Sequence, residues 1–128
     1  MIVAGVGCRK GATAEQIITA ISRALHNVGL STRAIDVIAT SAAKIDEPGI
    51  VAAATTLDVP LVPISQSDLE AVGARTRTRS ERVIALTGVP SVAEAAALAA
   101  AGPSASLLAA RTAAGPATCA LAETGGRP

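Results

Sequence analysis

No phenylalanine, tyrosine or tryptophan occurs among the 128 residues of this chain, so any core it forms must be assembled from small aliphatic side chains. Eleven valines, ten isoleucines, ten leucines and part of a complement of thirty alanines are the available material. With 50% hydrophobic and 16% charged residues the chain can build a core, and a disordered chain is excluded. The length suits one domain that buries roughly two-thirds of its unfolded surface. The missing rings also remove the stacking platforms that hold single-stranded nucleic acid and the aromatic anchors of membrane interfaces. Eleven Lys and Arg against ten Asp and Glu leave a formal charge of +1, too little for a broadly basic face. Neither nucleic acid nor a membrane is expected as a partner, and no apolar run reaches the about 18 residues of a membrane span. The apolar start, Met1 to Gly7, lacks a positive n-region, and Cys8 and Cys119 form no disulfide framework. A cytoplasmic protein with reduced thiols is the expectation.

The apolar pattern alternates between strand and helix. Ile2 to Val6 reads as a buried strand entering the glycine-rich turn Gly5-Val6-Gly7-Cys8-Arg9-Lys10-Gly11. Thr13 and Gln16 then form a capping box ahead of Ile17, Ile18, Ile21, Ala24, Leu25 and Val28, a helical stripe stopped at Gly29. Ile35 to Ala39 is a second strand, and Asp46-Glu47-Pro48 opens a helix expected to reach about Leu57. Pro60 to Ile64 gives a third strand and Ser67 to Val72 a brief helix closed by Gly73. In Ser80 to Thr87, Val83 to Leu86 would suit a strand, while Ser80 as a cap before Glu81 favours a helix. Ser91 and Glu94 form another capping box for an alanine-rich helix, Val92 to Ala101, stopped by Gly102-Pro103. Ala105 to Ala109 and Thr118 to Ala122 are the last strand candidates. This alternation predicts one α/β domain over residues 1–122, an open and largely parallel sheet with helices on its faces, followed by a flexible tail over 123–128.

Ligands of open α/β sheets bind beyond the carboxyl ends of the strands, which makes the first glycine turn the leading site. Gly7, Cys8, Arg9, Lys10 and Gly11 combine close backbone approach with two cations at a helix start, suited to an anion. The spacing is neither the dinucleotide fingerprint nor the phosphate loop, and a glycine turn packed on its own helix is the simpler alternative. The second turn brings Thr40, Ser41, Lys44, Asp46 and Glu47 to the same sheet edge, where consecutive turns converge on one cleft. Taken alone, that turn reads equally as a helix start with Asp46 as cap. Arg75, Arg77, Arg79 and Arg82 form a local anion attractor or a solvated loop, and the sequence cannot name the anion. His26, the single histidine, sits on the first helix away from the turns and reads as a structural or surface residue. One histidine and two distant cysteines are poor material for a metal site, and neither a metal nor a cofactor is expected. Cys8 lies beside Arg9 and Lys10 near a helix start, a setting that can lower a thiol pKa.

The turn Gly5 to Gly11, the segment Ala39-Thr40-Ser41-Ala42-Ala43-Lys44-Ile45-Asp46-Glu47-Pro48-Gly49 and the segment Thr87-Gly88-Val89-Pro90-Ser91-Val92-Ala93-Glu94-Ala95-Ala96-Ala97-Leu98 together resemble the CobE family, which is also the C-terminal domain of CbiG proteins. The likeness runs from Ile2 to about Ala122 in the family's order. It implies a three-layer α/β/α sandwich with a mixed, mostly parallel five- or six-stranded sheet, and a role in corrin-ring construction for cobalamin. Beginning at Met1 with the glycine motif, the chain is similar to the family's stand-alone form. The implied ligand is a precorrin or corrinoid intermediate, bound or handed over, with other cobalamin-biosynthesis enzymes as further partners. The alternative is an enzyme or enzyme subunit related to cobalt-precorrin-5A hydrolase, which opens the ring lactone with release of acetaldehyde. Carried over residue by residue, the ligand positions are Gly7, Cys8, Arg9, Lys10 and Gly11, then Thr40, Ser41, Lys44, Asp46 and Glu47, then Gly88, Ser91 and Glu94. For an enzyme, Glu47 or Glu94 would serve as acid or base and Cys8 as nucleophile. Glu94 is a capping residue in one reading and a cleft residue in the other.

Overall fold

A computed structural model describes residues 1–125. Five strands form one sheet in the order β3-β2-β1-β5-β4, with β1 at Ile2–Cys8, β2 at Val37–Ser41, β3 at Leu61–Ile64, β4 at Ser106–Ala114 and β5 at Ala117–Glu123. β1 pairs in parallel with β2 and β2 with β3, while β5 runs antiparallel to both β1 and β4. Four strands therefore point one way and only β5 is reversed, which is the mixed, mostly parallel sheet that the resemblance implied. Five helices cover it: α1 at Ala14–Asn27, α2 at Pro48–Leu57, α3 at Gln66–Ala71, α4 at Glu81–Thr87 and α5 at Val92–Ala101. None is long and apolar enough by itself to cross a membrane.

Two cores lie on opposite faces of the sheet. On one, Ile17, Ile21 and Leu25 of α1 and Ile50 of α2 pack on Ala4, Val6, Ile38 and Leu121. The Thr13 and Gln16 box closes as its spacing predicts, with Thr13 Oγ1 accepting from the Gln16 amide at 3.1 Å and Gln16 Oε1 accepting from the Thr13 amide at 3.0 Å. On the other face, Leu69 of α3 and Ala95, Ala96, Ala97 and Leu98 of α5 pack on Val3, Ala39 and Ala122. α5 lies so close to β1 that a Cβ at Gly5 would stand 2.0 Å from the Ala93 carbonyl oxygen and 2.6 Å from the Ala97 nitrogen. Without rings to fill space, these layers close by bringing backbone against backbone.

Several boundaries move. β2 starts at Val37, after a 3-10 turn at Thr32–Ala34, and β1 extends through the glycines to Cys8 because β5 pairs along its whole length, from Ile2 with Glu123 to Cys8 with Ala117. The two last strand candidates are longer than the pattern showed and form a hairpin across Gly115 and Pro116. Glu123 is the final residue of β5 and the Thr124 amide donates to Met1 O at 3.0 Å, so the expected flexible tail does not begin at 123. Residues 126–128 lie outside the described residues.

Candidate functional site

The carboxyl ends of β1 and β4 frame a cleft of about 410 Å³. Gly7, Cys8 and Arg9 supply one side; Ser80, Arg82, Val83, Leu86 and Thr87 of α4 and its cap, with Val92 of α5, supply another. The hairpin completes it with Arg111, Ala113, Gly115, Pro116 and Thr118. The Arg9 amide donates to Pro116 O at 3.0 Å and Thr118 Oγ1 donates to Gly7 O at 3.2 Å, pinning the first turn to the hairpin. A larger groove of about 550 Å³ between α2 and β3 is lined by Val51, Ala54, Thr55, Asp58, Val59, Pro60 and Leu61 and holds one carboxylate and no cation. The first cleft obeys the carboxyl-end rule and carries the functional groups.

Its electrostatics come from arginine side chains. Among the described residues, Arg9, Arg82 and Arg111 have no hydrogen-bonding or ionic partner for their guanidinium groups, whereas the other arginines of the basic segment are engaged. Arg75 donates to Ala105 O, Arg77 to Leu107 O at 3.1 Å, and Arg79 pairs with Glu81 at 2.8 Å. Arg77 thereby covers a carbonyl of β4, the outermost strand on that side, and Arg75 covers the carbonyl just before that strand begins. Val83, Leu86 and Val92 give the cleft an apolar surface, and Leu86 is 74% exposed.

Four amides of the glycine turn and its helix cap, which the motif suggested for an anion, already have acceptors within the protein. Gly11 N donates to Glu47 Oε1 at 2.7 Å, Thr13 N to Gln16 Oε1 at 3.0 Å, Ala12 N to Arg9 O at 3.1 Å and Arg9 N to Pro116 O. The protein's own Glu47 carboxylate takes one of them. Glu47 also occupies the N-cap position of α2, in place of Asp46, without capping it through its side chain; Asp46 is exposed. Gly49 lets α2 approach the first turn, since a Cβ there would stand 2.1 Å from Ala12 O. The two turns are neighbours as predicted, but Thr40, Ser41, Lys44, Asp46 and Glu47 stay out of the cleft lining. Thr40 is buried and donates to Val6 O at 2.8 Å, and Ser41 Oγ accepts from Ala43 N at 3.2 Å. Lys10 is exposed outside the lining, and His26 is exposed on α1.

Gly88 ends α4 with a φ of 79°, and Ser91 Oγ accepts from Glu94 N at 3.3 Å as the N-cap of α5. The second half of that capping box is absent. Glu94 is fully buried, and its Oε1 accepts from Arg77 N at 2.5 Å and Thr78 N at 2.9 Å. Its Oε2 accepts from Thr78 Oγ1 at 2.5 Å and from Arg111 N at 2.8 Å. Tertiary donors outcompete the local Ser91 amide because they satisfy a buried carboxylate on both oxygens. Burial alone would raise the Glu94 carboxyl, but the hydrogen bonds from Thr78, Arg111 and Arg77 outweigh it and hold the pKa below the ordinary value.

Cys8 lines the cleft with its thiol pushed up, chiefly by burial, with Lys44 lowering it and Glu47 raising it. The sequence expectation of an activated thiol beside Arg9 and Lys10 is thus reversed. Cys119 is fully buried and burial pushes it up as well. With iodoacetamide at pH 7, Cys8 should label more slowly than glutathione and accelerate in alkali, and Cys119 should label only after denaturation. Peptide mass spectrometry reads both, and Cys8 labelling faster than glutathione at pH 7 would contradict this account.

No sequence motif marks Arg111; the Gly115-Pro116 dipeptide, a turn signal between the last two strand candidates, is the clue that folds it back to the cleft.

The sequence pattern described as "Cobalamin synthesis G C-terminus" matches residues 2–122. The chain is 38% identical over 121 residues to Protein CobE of Sinorhizobium sp, covering 94% of this chain and 79% of that protein. To cobalt-precorrin-5A hydrolase of Priestia megaterium it is 28% identical over 102 residues, 80% of this chain and 27% of that much longer protein. Among solved structures, CobE superposes with a TM-score of 0.90 at 37% identity, covering 95% of this chain and 89% of that one. The cobalamin biosynthesis protein chiG of Agrobacterium tumefaciens superposes at 0.78 with 44% identity, covering 98% and 100%. The chain belongs to the CobE/CbiG C-terminal family of cobalamin (vitamin B12) biosynthesis proteins.

Proposed function

We propose that this protein binds a polycarboxylate precorrin or corrinoid intermediate in the cleft at the ends of β1 and β4 and hands it to other enzymes of the pathway. The observation that carries this reading is the set of three arginines, Arg9, Arg82 and Arg111, that line one cleft and have no partner among the described residues. Corrin intermediates carry acetate and propionate carboxylates around an apolar ring. Guanidinium forks match carboxylates, and the Val83, Leu86 and Val92 surface matches the ring. The family's place in corrin synthesis supports the same ligand class. Catalytic lactone opening has less support: Glu94 is buried and fully engaged, Glu47 is held by Gly11, and the Cys8 thiol is raised.

Cobyrinic acid, with free carboxylates, and cobinamide, with amidated side arms, separate charge from ring. Cobyrinic acid should bind and elute unchanged, and cobinamide should bind far more weakly. Arg82→Ala and Arg111→Ala should each weaken cobyrinic acid by about 1 to 3 kcal/mol, roughly five- to 150-fold, because each removes a charge-assisted contact to a carboxylate. Arg79→Ala, which removes an exposed ion pair outside the cleft, should change little. Equal affinity for both corrinoids, or equal effects of all three substitutions, would sink the reading, and turnover of a pathway intermediate would replace the carrier with an enzyme.

A further inference from the structure

The walls of the cleft come from segments distant in sequence, and one buried side chain joins two of them. Residues 76–80 lead directly into α4, which brings Arg82, Val83, Leu86 and Thr87 to the cleft. Arg111 lies on β4, where the pairing with β5 shifts register between Ala109 and Thr112. Glu94 is the residue common to both. Its Oε1 takes the amides of Arg77 and Thr78, and its Oε2 takes the Arg111 amide together with the Thr78 hydroxyl. α4 needs such an anchor, because it buries none of its own residues and Leu86 is largely exposed. Its other ties are few: Ser80 N to Pro90 O at 3.3 Å, and Gln66 Nε2 to Thr87 O at 2.6 Å.

We infer that Glu94 is a positioning residue for the ligand site: its carboxylate fixes the Arg82 wall and the Arg111 wall at one separation, and thereby sets the affinity for a polycarboxylate ring. Glu94 itself does not touch the ligand. Its backbone belongs to α5, which rests on β1, so both walls are referenced to the centre of the sheet. Thr78 has an additional part, because its hydroxyl and its amide bind different oxygens of the same carboxylate and orient it. The inference rests on the ligand reading above for its effect on affinity, and on the geometry alone for its effect on the two walls.

Glu94→Gln keeps the size of the side chain but turns an acceptor into an NH2 group facing a donor, either Arg111 N or the Arg77 and Thr78 amides. Cobyrinic acid affinity, measured well below the melting temperature by corrinoid absorption, should fall about tenfold. In an Arg111→Ala background the same substitution should cost less than about threefold, because one of the two groups it positions is already gone. Thr78→Val, which loses one of four hydrogen bonds, should weaken binding in the same direction by a smaller factor and provides a variant that folds if Glu94→Gln does not. Ile21→Val, a core truncation in the opposite layer, should lower the melting temperature without changing affinity. Amide exchange supplies the ligand-free readout: in Glu94→Gln, and more weakly in Thr78→Val, segments 76–87 and 110–115 should lose protection together while α1 and β2 keep theirs. If wild-type protein does not bind cobyrinic acid, the proposed ligand falls and the exchange pattern still decides the role of Glu94. Unchanged affinity in both Glu94→Gln and Thr78→Val with bound ligand, or loss of protection spread evenly over the sheet, would overturn it.

Discussion

Substituting Gly5 by alanine should cost this protein most of its stability, and substitution by valine should leave no folded state. A Cβ at position 5 would stand 2.0 Å from Ala93 O, 2.6 Å from Ala97 N and 2.8 Å from Ala97 Cβ. Two of those atoms are backbone of α5, so no rotamer change relieves the clash and the whole helix must lift. α5 carries Ala93, Ala95, Ala96, Ala97, Leu98 and Ala101 into the core, and lifting it opens gaps that its methyl groups are too short to refill. Overpacking commonly costs about 1 to 3 kcal/mol and more when backbone must move, against a total of roughly 5 to 15 kcal/mol for a domain. Gly73→Ala is the comparator, since the added Cβ meets only Pro90 Cδ at 3.7 Å and should be nearly neutral. Thermal melts followed by far-ultraviolet circular dichroism check the pair, and a Gly5→Ala protein melting beside wild type would refute the packing argument.

Glu94→Ala should destabilise the fold by about 3 to 5 kcal/mol, because it leaves the Arg77, Thr78 and Arg111 amides without their acceptor and each stranded donor costs about 1 to 3 kcal/mol before water relieves part of it. The pH dependence has a definite sign. The folded-state pKa of Glu94 is lowered, so its contribution is complete above the unfolded-state value near 4.5 and is lost as pH falls through the folded value. Wild type should therefore lose stability on acidification below about pH 4.5, and Glu94→Ala should show a shallower decline over the same window. Parallel declines in denaturant melts between pH 6 and pH 3 would show that the carboxylate is not held by these bonds.

Helix α5 shows how the sequence could be right about an element and incomplete about its residues. The Ser91-x-x-Glu94 pattern, the alanine run and Gly102 give its span, Val92–Ala101, and the Ser91 cap is present. The same pattern assigns the Glu94 side chain to the Ser91 amide, and there it fails, since no local rule can weigh a nearby amide against three amides and a hydroxyl brought from residues 77, 78 and 111. The first turn behaves similarly. Its glycines, Cys8 and Arg9 were legible as a site, and Gly7, Cys8 and Arg9 do line the cleft. The glycine pattern leaves its amides to an anion, and Glu47 from the next turn takes one of them.

What the sequence determined by itself are the quantities set by composition and short-range periodicity: an aliphatic core without rings, an α/β fold, the type and order of its main elements, the Thr13 and Gln16 box, and a family likeness carried by three motifs. These depend on contacts within about four residues, where spacing along the chain and spacing in space are the same thing. Only the tertiary structure decided that β5 runs backwards between β1 and β4, and this reversal brings Arg111 and the hairpin to the first turn. It also decided that Arg82 reaches the cleft while Arg77 bonds a carbonyl of β4, Arg75 bonds the carbonyl of Ala105 just before it, and Arg79 pairs with Glu81. Seven or eight similar charges and hydroxyls in a row look alike along the chain, and which of them faces a ligand follows from the strand, bulge and buried carboxylate that each meets in the folded protein.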